Sequence, residues 1–284
     1  MDIEQEYIKN VENLPPCPDI ALEVLTLAQD LDCNFKELAK KVERDPNLTA
    51  NMLRMANSVY FGYMKQISSV RDMIVRLGLD NIKLIAITGA SVAFLKPSKM
   101  SYGLKNGALW QHSYATAILS SIIGRYARVE KNNTLYTAAL LHDVGKVVLD
   151  RPLQVEISSQ EQPPDHIINF VDFEAFLLRT NHAKVGMALL ESWGLPEDIY
   201  LPVGNHHLDK HEGAAGLHSK IVYLANFLIE RMALLLTDPV NYNFNFQENE
   251  DVKTIMEEVP GFKSNKKVIF DEFFFKFSDG LAIL

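Results

Sequence analysis

The sequence is poor in cysteine, in positive charge and in long apolar runs, and each shortage rules out a class of protein. Two cysteines, Cys17 and Cys33, among 284 residues are too few for a disulfide scaffold, so we expect reduced thiols and a cytoplasmic location. The net charge is −8, from 28 Lys and Arg against 36 Asp and Glu, which argues against binding to nucleic acid phosphates. The longest apolar stretch, about Leu84 to Leu95, is shorter than the roughly 20 residues that a membrane helix needs. The N-terminus lacks a signal-peptide pattern, so no membrane insertion is expected.

The apolar residues recur at three- and four-residue spacing, and alternating patterns are scarce, which predicts an all-α protein. A segment near residues 95–107 carries Pro, Ser and Gly without apolar periodicity and is predicted to be a linker. It divides an N-terminal multi-helix bundle, residues 1–100, from a second helical bundle, residues 101–238. Residues 239–284 are predicted to be a C-terminal extension that packs on the second bundle. Within that bundle, Thr134 is the expected N-cap of a helix.

The histidines are distributed unevenly along the chain. All eight follow residue 110, and the preceding 110 residues contain none. A functional site confined to the second half would explain this asymmetry. The strongest local signal is the pair His142 and Asp143, which directly follows an apolar run. Buried polar groups are costly without a partner, and a divalent metal accepts both imidazole and carboxylate ligands.

One histidine on an apolar helix face is more often a hydrogen-bonded core residue than a metal ligand, and His112 alone would be interpreted in that way. An ordered series of histidines on successive predicted helices makes the metal site the better interpretation, because helical bundles assemble metal sites from facing helices. The series consists of His112, the His142–Asp143 pair, His182, and the pair His206–His207. His166, His211 and His218 lie in polar surroundings and are expected at the surface.

This series resembles the ligand pattern of the HD superfamily of metal-dependent phosphohydrolases. The resemblance implies that His112, His142 and Asp143 match the ligands of one metal, and that His182, His206 and His207 match the histidines that hold a second. It also implies that Lys146, in the stretch HDVGK, is able to meet a phosphate. The implied cofactor is a divalent metal such as Fe, Mn, Zn or Ni, and the catalytic residues of an enzyme of this kind would be Asp143 and Lys146.

The chain departs from that pattern in the helix after the paired histidines, where the superfamily has an aspartate. The stretch here reads YLANFLIE, with Asn226 at the matching position. A neutral amide is a poorer ligand than a carboxylate, so metal binding at the first position should be weaker while the second position could survive. Asp209 or Glu212 would compensate if either one reached the site.

The N-terminal half resembles the HDOD domain, an HD-related output domain of bacterial signalling proteins. The motifs that carry this resemblance are LPPCPDIALEVL, RDPNLTANMLRMANSVYFG and ISSVRDMIVRLGLDNIKLIAIT, and LWQHS and HAKVGMALLESWGLP resemble the second half of that domain. The resemblance implies an all-helical regulatory module with signalling protein partners, such as receiver-type or cyclic-dinucleotide input proteins. We therefore expect a non-catalytic or weakly catalytic regulator with a partly retained metal site. The alternative is a metal-dependent phosphodiesterase or nucleotide phosphatase.

Overall fold

The computed structural model describes residues 3–10, 35–58, 66–95, 102–104, 107–159, 170–207, 215–237 and 250–277. Every regular element in these ranges is an α-helix, which confirms the predicted fold class. The first four helices are α1 (Ile3–Asn10), α2 (Phe35–Glu43), α3 (Pro46–Ala56) and α4 (Val70–Leu95). The next five are α5 (Ala108–Tyr126), α6 (Asn132–Leu141), α7 (Val144–Ser159), α8 (Phe170–Leu178) and α9 (His182–Ser192). The last four are α10 (Glu197–Gly204), α11 (Ala215–Thr237), α12 (Glu250–Glu258) and α13 (Phe262–Phe277).

The ends of several helices follow directly from the sequence. The Asp45 side chain caps α3 by accepting from the backbone N–H groups of Asn47 and Leu48, and Pro46 occupies the first turn, where it removes no helical hydrogen bond. The long helix α4 is kinked at Gly78, whose φ of 73° lies in the left-handed region. The prediction of Thr134 as an N-cap was wrong. Lys131 is the N-cap of α6, and the backbone N–H of Thr134 donates to Lys131 within the first turn.

The helices pack around one continuous apolar core that includes residues from α2 to α13. The segment 95–107 lies between α4 and α5, and buried polar contacts join α4 to the two helices that follow it. The Trp110 indole N–H donates to Ser91 Oγ at 3.1 Å. The hydroxyl of Thr88 on α4 also lies 2.8 Å from that of Tyr136 on α6.

The terminal helices pack on the second half of the chain. Helix α1 lies against α7 and α9, and Tyr7 donates a hydrogen bond to the carbonyl of Leu178. Helix α13 lies against α5, where the rings of Phe277 and Tyr114 are 6.4 Å apart. The domain boundaries near residues 100 and 238 stay predictions. No helix within the described ranges has the length and apolarity needed to cross a bilayer.

Candidate metal centre

The site residues stand at the ends or in the first two turns of the helices of the second half. His112 is in the second turn of α5, the pair His142–Asp143 forms the junction between α6 and α7, and His182 is the first residue of α9. His206 and His207 follow Asn205, the C-cap of α10. Because these ends converge, the structure brings together all six predicted ligands in two groups.

The first group contains His112, His142 and Asp143. The Nε2 atoms of the two histidines are 3.3 Å apart. Asp143 Oδ2 lies 3.6 Å from His112 Nε2 and 3.4 Å from His142 Nε2. His112 is the more accessible member, with 19% of its side chain exposed, whereas His142 is fully buried.

The second group contains His182, His206 and His207. Their candidate ligand atoms all lie within 4.8 Å of one another, and the Nε2 atoms of His182 and His207 are 2.9 Å apart. The other carboxylate oxygen of Asp143 faces this group, since Oδ1 lies 3.3 Å from His182 Nε2 and 3.8 Å from His206 Nε2. Asp143 therefore lies between the two groups and offers one oxygen to each.

Two of the buried histidines are oriented by backbone carbonyls. The Nδ1 of His142 is 2.7 Å from the carbonyl of Ala139, and the Nδ1 of His206 is 2.6 Å from the carbonyl of Val203. A carbonyl only accepts, so each Nδ1 carries the proton and each Nε2 presents a lone pair to the site. His206 Nε2 and Asp143 Oδ1 are both buried without a hydrogen-bond partner among the described residues. Two unpartnered acceptors facing each other in a buried pocket are what a cation would satisfy.

The third oriented histidine depends on Glu174, which the sequence analysis missed. Glu174 is a fully buried carboxylate on α8. Its Oε2 accepts from the His182 backbone N–H at 2.8 Å and lies 2.7 Å from His182 Nδ1. Its Oε1 accepts from the Tyr102 hydroxyl at 2.5 Å. Glu174 thereby fixes the proton of His182 on Nδ1 and directs Nε2 towards Asp143 and His207.

Lys146, in the first turn of α7, is the remaining charged residue of the predicted site. Its ammonium donates to Asp143 Oδ2 at 2.7 Å, the same oxygen that faces the first group. It also lies 5.9 Å from the centre of the Tyr102 ring. The side chain is 15% exposed, so it reaches the edge of the pocket.

Burial and charge move the pKa values of these groups in opposite directions. Burial lowers the pKa of His112 to about 4, and burial also lowers the pKa values of His142, His206 and His207. Burial would raise the pKa of Asp143, but its interactions with His142, with the ammonium of Lys146 and with His182 hold that pKa well below its usual value. Four neutral imidazoles around an ionised carboxylate make a ligand set suited to a divalent transition metal.

The close approach of α7 and α9 requires a glycine. A Cβ at Gly145 would lie 1.9 Å from the carbonyl oxygen of His182 and 2.8 Å from the backbone nitrogen of Gly186. Because Gly145 has no side chain, the backbone of His182 can pack directly against it. Gly145 is two residues after Asp143, so this contact brings His182 close to Asp143. The glycine in HDVGK is therefore part of the reason why the two groups meet.

Asn226 lies on α11, which packs against α5, α6 and α10. It is 4% exposed, and its Oδ1 has no hydrogen-bond partner within the described ranges. Its role as a substituted ligand stays a prediction.

His218, on the same helix as Asn226, is half-buried and belongs to neither group. Several other residues considered from the sequence lie outside the described residues, namely Cys17, Cys33, His166, Asp209, His211 and Glu212.

The helical architecture is shared with solved structures. A structure of an HDOD domain protein of unknown function from Geobacter sulfurreducens superposes with a TM-score of 0.72 at 26% identity, and the match covers 96% of each chain. A structure from Shewanella amazonensis SB2B, described as a candidate phosphohydrolase, superposes with a TM-score of 0.74 at 17% identity over 98% of each chain. The second likeness, at this low identity, concerns the fold alone.

A family model assigns the chain more specifically. The model of the HDOD domain matches residues 14–208, and the chain belongs to that family. An uncharacterized protein of Treponema pallidum (strain Nichols) is 23% identical over an alignment of 207 residues, and the match covers 69% of this chain. The match spans 38% of the length of that relative.

Proposed function

We propose that this HDOD protein is a regulatory signalling module that binds a divalent metal in its second half and acts on protein partners. The observation that carries the proposal is the position of Asp143 between two histidine groups, with its Oδ1 and the Nε2 of His206 buried and without hydrogen-bond partners. A bound metal would supply the positive charge that these acceptors lack.

Three features support regulation over turnover. By the resemblance, Asn226 stands where a complete HD-type ligand set would have a carboxylate, so the site would carry one negative charge fewer. Four of the predicted ligands, His142, Asp143, His182 and His206, are no more than 1% exposed, which limits access of a substrate. The site is also connected to the segment between α4 and α5, because Tyr102 in that segment donates to Glu174.

The proposed partners are signalling proteins, of the receiver type or of the type that responds to cyclic dinucleotides. This proposal follows from the resemblance to an output domain of bacterial signalling proteins. The proposal places the module in the cytoplasm, where both cysteines would remain reduced.

The second candidate is a metal-dependent phosphohydrolase, acting as a phosphodiesterase or a nucleotide phosphatase. The position of Lys146 favours it, because an ammonium group beside Asp143 at the pocket edge is able to meet a phosphate. A bound metal would supply Lewis acidity and lower the pKa of a coordinated water towards about 7. Asp143 would then hold the metals, and Lys146 would orient the ester.

Metal analysis and an ester assay on the same purified protein separate the two candidates. We expect the protein to bind metal, to lose it in His206→Ala, and to retain it in the control His218→Ala. With the regulatory proposal, neither bis(p-nitrophenyl) phosphate nor p-nitrophenyl phosphate is hydrolysed by the metal-loaded protein. Metal-dependent release of nitrophenol that His142→Ala abolishes would establish the enzyme instead.

The variant Asn226→Asp tests the role of the missing carboxylate. If this position is the substituted ligand, the variant should bind metal more tightly than the wild type. Unchanged metal affinity in Asn226→Asp would remove this residue from the explanation of why the site is regulatory.

A further inference from the structure

We infer that the protein binds one metal ion rather than two, held by His182, His206, His207 and Asp143 Oδ1, while the ammonium of Lys146 takes the place of a cation at the first group. The inference rests on the proposed metal-binding function and adds the stoichiometry and the position of the ion.

The spacing of the ligand atoms in the second group fits a tetrahedral ion. Metal–ligand bonds of 2.0–2.2 Å at tetrahedral angles place ligand atoms about 3.3–3.6 Å apart. The distances here are 3.3 Å from His182 Nε2 to Asp143 Oδ1, 3.8 Å from His206 Nε2 to the same oxygen, and 2.9 Å between the Nε2 atoms of His182 and His207. One of these three distances lies in the tetrahedral range and the other two lie just outside it, so small shifts would place the four atoms around one ion.

The first group has similar spacing, with distances of 3.3, 3.4 and 3.6 Å, so geometry alone does not choose between the groups. The groups differ in the state of their ligand atoms. Asp143 Oδ2, which faces the first group, already binds the ammonium of Lys146 at 2.7 Å. Asp143 Oδ1, which faces the second group, binds no donor, and neither does His206 Nε2. The free acceptors are on the side of the second group.

Charge points to the same group. Two divalent ions would bring four positive charges next to Lys146, into a pocket where Asp143 is the described carboxylate that faces both groups. Glu174 is turned away from the ion positions, since both of its oxygens accept from His182 and Tyr102. One ion at the second group, with Lys146 at the first, leaves far less buried charge without a counter-charge.

A site with four protein ligands has no open position. Zinc sites of this closed kind are structural, whereas catalytic sites keep one position for water or substrate. The one-ion arrangement therefore explains how the protein can retain most of an HD-type ligand set and still act without turnover.

Binding of Zn²⁺ to the full chain, measured by calorimetry and by metal content after dialysis, tests the stoichiometry. We expect one equivalent per chain in the wild type, retained in His112→Ala and lost in His206→Ala. Loading with Co²⁺ should give the intense visible absorption of a tetrahedral ion, which a six-coordinate ion completed by several waters would lack.

Removing the ammonium of Lys146 should free Asp143 Oδ2 and allow a second ion to bind at the first group. We expect a second equivalent to bind about 10- to 100-fold more tightly in Lys146→Met than in the wild type, the range seen when groups that contact a metal's ligands are changed. Lys146→Gln keeps a hydrogen-bond donor next to Asp143 and serves if Lys146→Met folds poorly. Lys184→Met, at an exposed position on α9, is the matched control and should bind one equivalent as the wild type does.

Two equivalents of similar affinity in the wild type would overturn the one-ion inference and leave the proposed metal-binding function standing. Loss of the metal in His112→Ala but not in His206→Ala would also overturn it, because the ion would then occupy the first group. No metal in any variant would refute the metal-binding proposal together with this inference. Ester hydrolysis by a one-metal wild type would overturn the regulatory proposal alone.

Discussion

Glu174 is not a predicted metal ligand, but it orients the predicted ligand His182. Removing its carboxylate should therefore destabilise the protein. Three donors point at it, namely the backbone N–H and the Nδ1–H of His182 and the hydroxyl of Tyr102. Glu174 is fully buried, and His182 and Tyr102 are 1% and 7% exposed. Hydrogen bonds to charged groups contribute about 1.5–3 kcal/mol each, and donors left unsatisfied in a buried place add a penalty of their own.

We expect Glu174→Ala to lower the free energy of unfolding by about 4 kcal/mol, somewhat less than the sum of three such bonds. Water can enter the space left by the side chain, and contributions within one network are not additive. Glu174→Gln should lose only about 1–2 kcal/mol, because its amide oxygen still accepts from His182. Urea unfolding followed by circular dichroism measures both values.

The same variants should separate stability from metal binding. Glu174→Ala frees the imidazole of His182 to rotate, so we expect a 10- to 100-fold loss of metal affinity, whereas Glu174→Gln should lose less. Glu191→Ala, at an exposed position on α9, is the control and should change stability by no more than about 0.5 kcal/mol. If Glu174→Ala unfolds within about 1 kcal/mol of the wild type, the network does not contribute as its geometry implies.

Two further substitutions test the packing that brings the site together. Gly145→Ala should destabilise the protein by about 3 kcal/mol or more in urea unfolding, because its Cβ would overlap the carbonyl of His182. Gly216→Ala, where nothing lies within 4 Å of the added atom, should change stability little, and equal effects at both glycines would refute the packing argument. Asn57→Ala should cost about 1–3 kcal/mol, since this side chain both donates to and accepts from the backbone of Ile67. A wild-type unfolding midpoint for Asn57→Ala would contradict this role.

The predictable parts of the site are those in which a rare residue type recurs on successive predicted helices. Histidine is rare enough that eight after residue 110, with none before it, form a pattern. The His142–Asp143 pair at the end of an apolar run is also costly to bury without a partner. Helical periodicity likewise gave the fold class, because a buried stripe leaves a three- and four-residue repeat in the sequence.

Glu174 could not be predicted because an acidic residue on a short helix is usually exposed, and nothing in FVDFEAFLL marks this one as buried. Its partners are far away along the chain, since Tyr102 precedes it by 72 positions. The helix start at Asn132 was missed for a related reason. The hydroxyl of Thr134 is a suitable N-cap, but the helix begins two residues earlier, at Asn132. There the side-chain amide of Asn132 donates to Ser121 on the neighbouring helix.

Residues around His182 form hydrogen bonds with the N-terminal helix and with the segment between the two predicted bundles. Thr180, two residues before His182, donates to Glu4 on α1 at 2.6 Å. Tyr102, in the segment between α4 and α5, donates to the carboxylate that orients the His182 ring. A metal bound by His182 therefore has its ligand positioned by the N-terminal helix and by the connection between the two halves. Metal affinity and the arrangement of these elements must then depend on each other, because any difference in affinity between two arrangements acts in both directions.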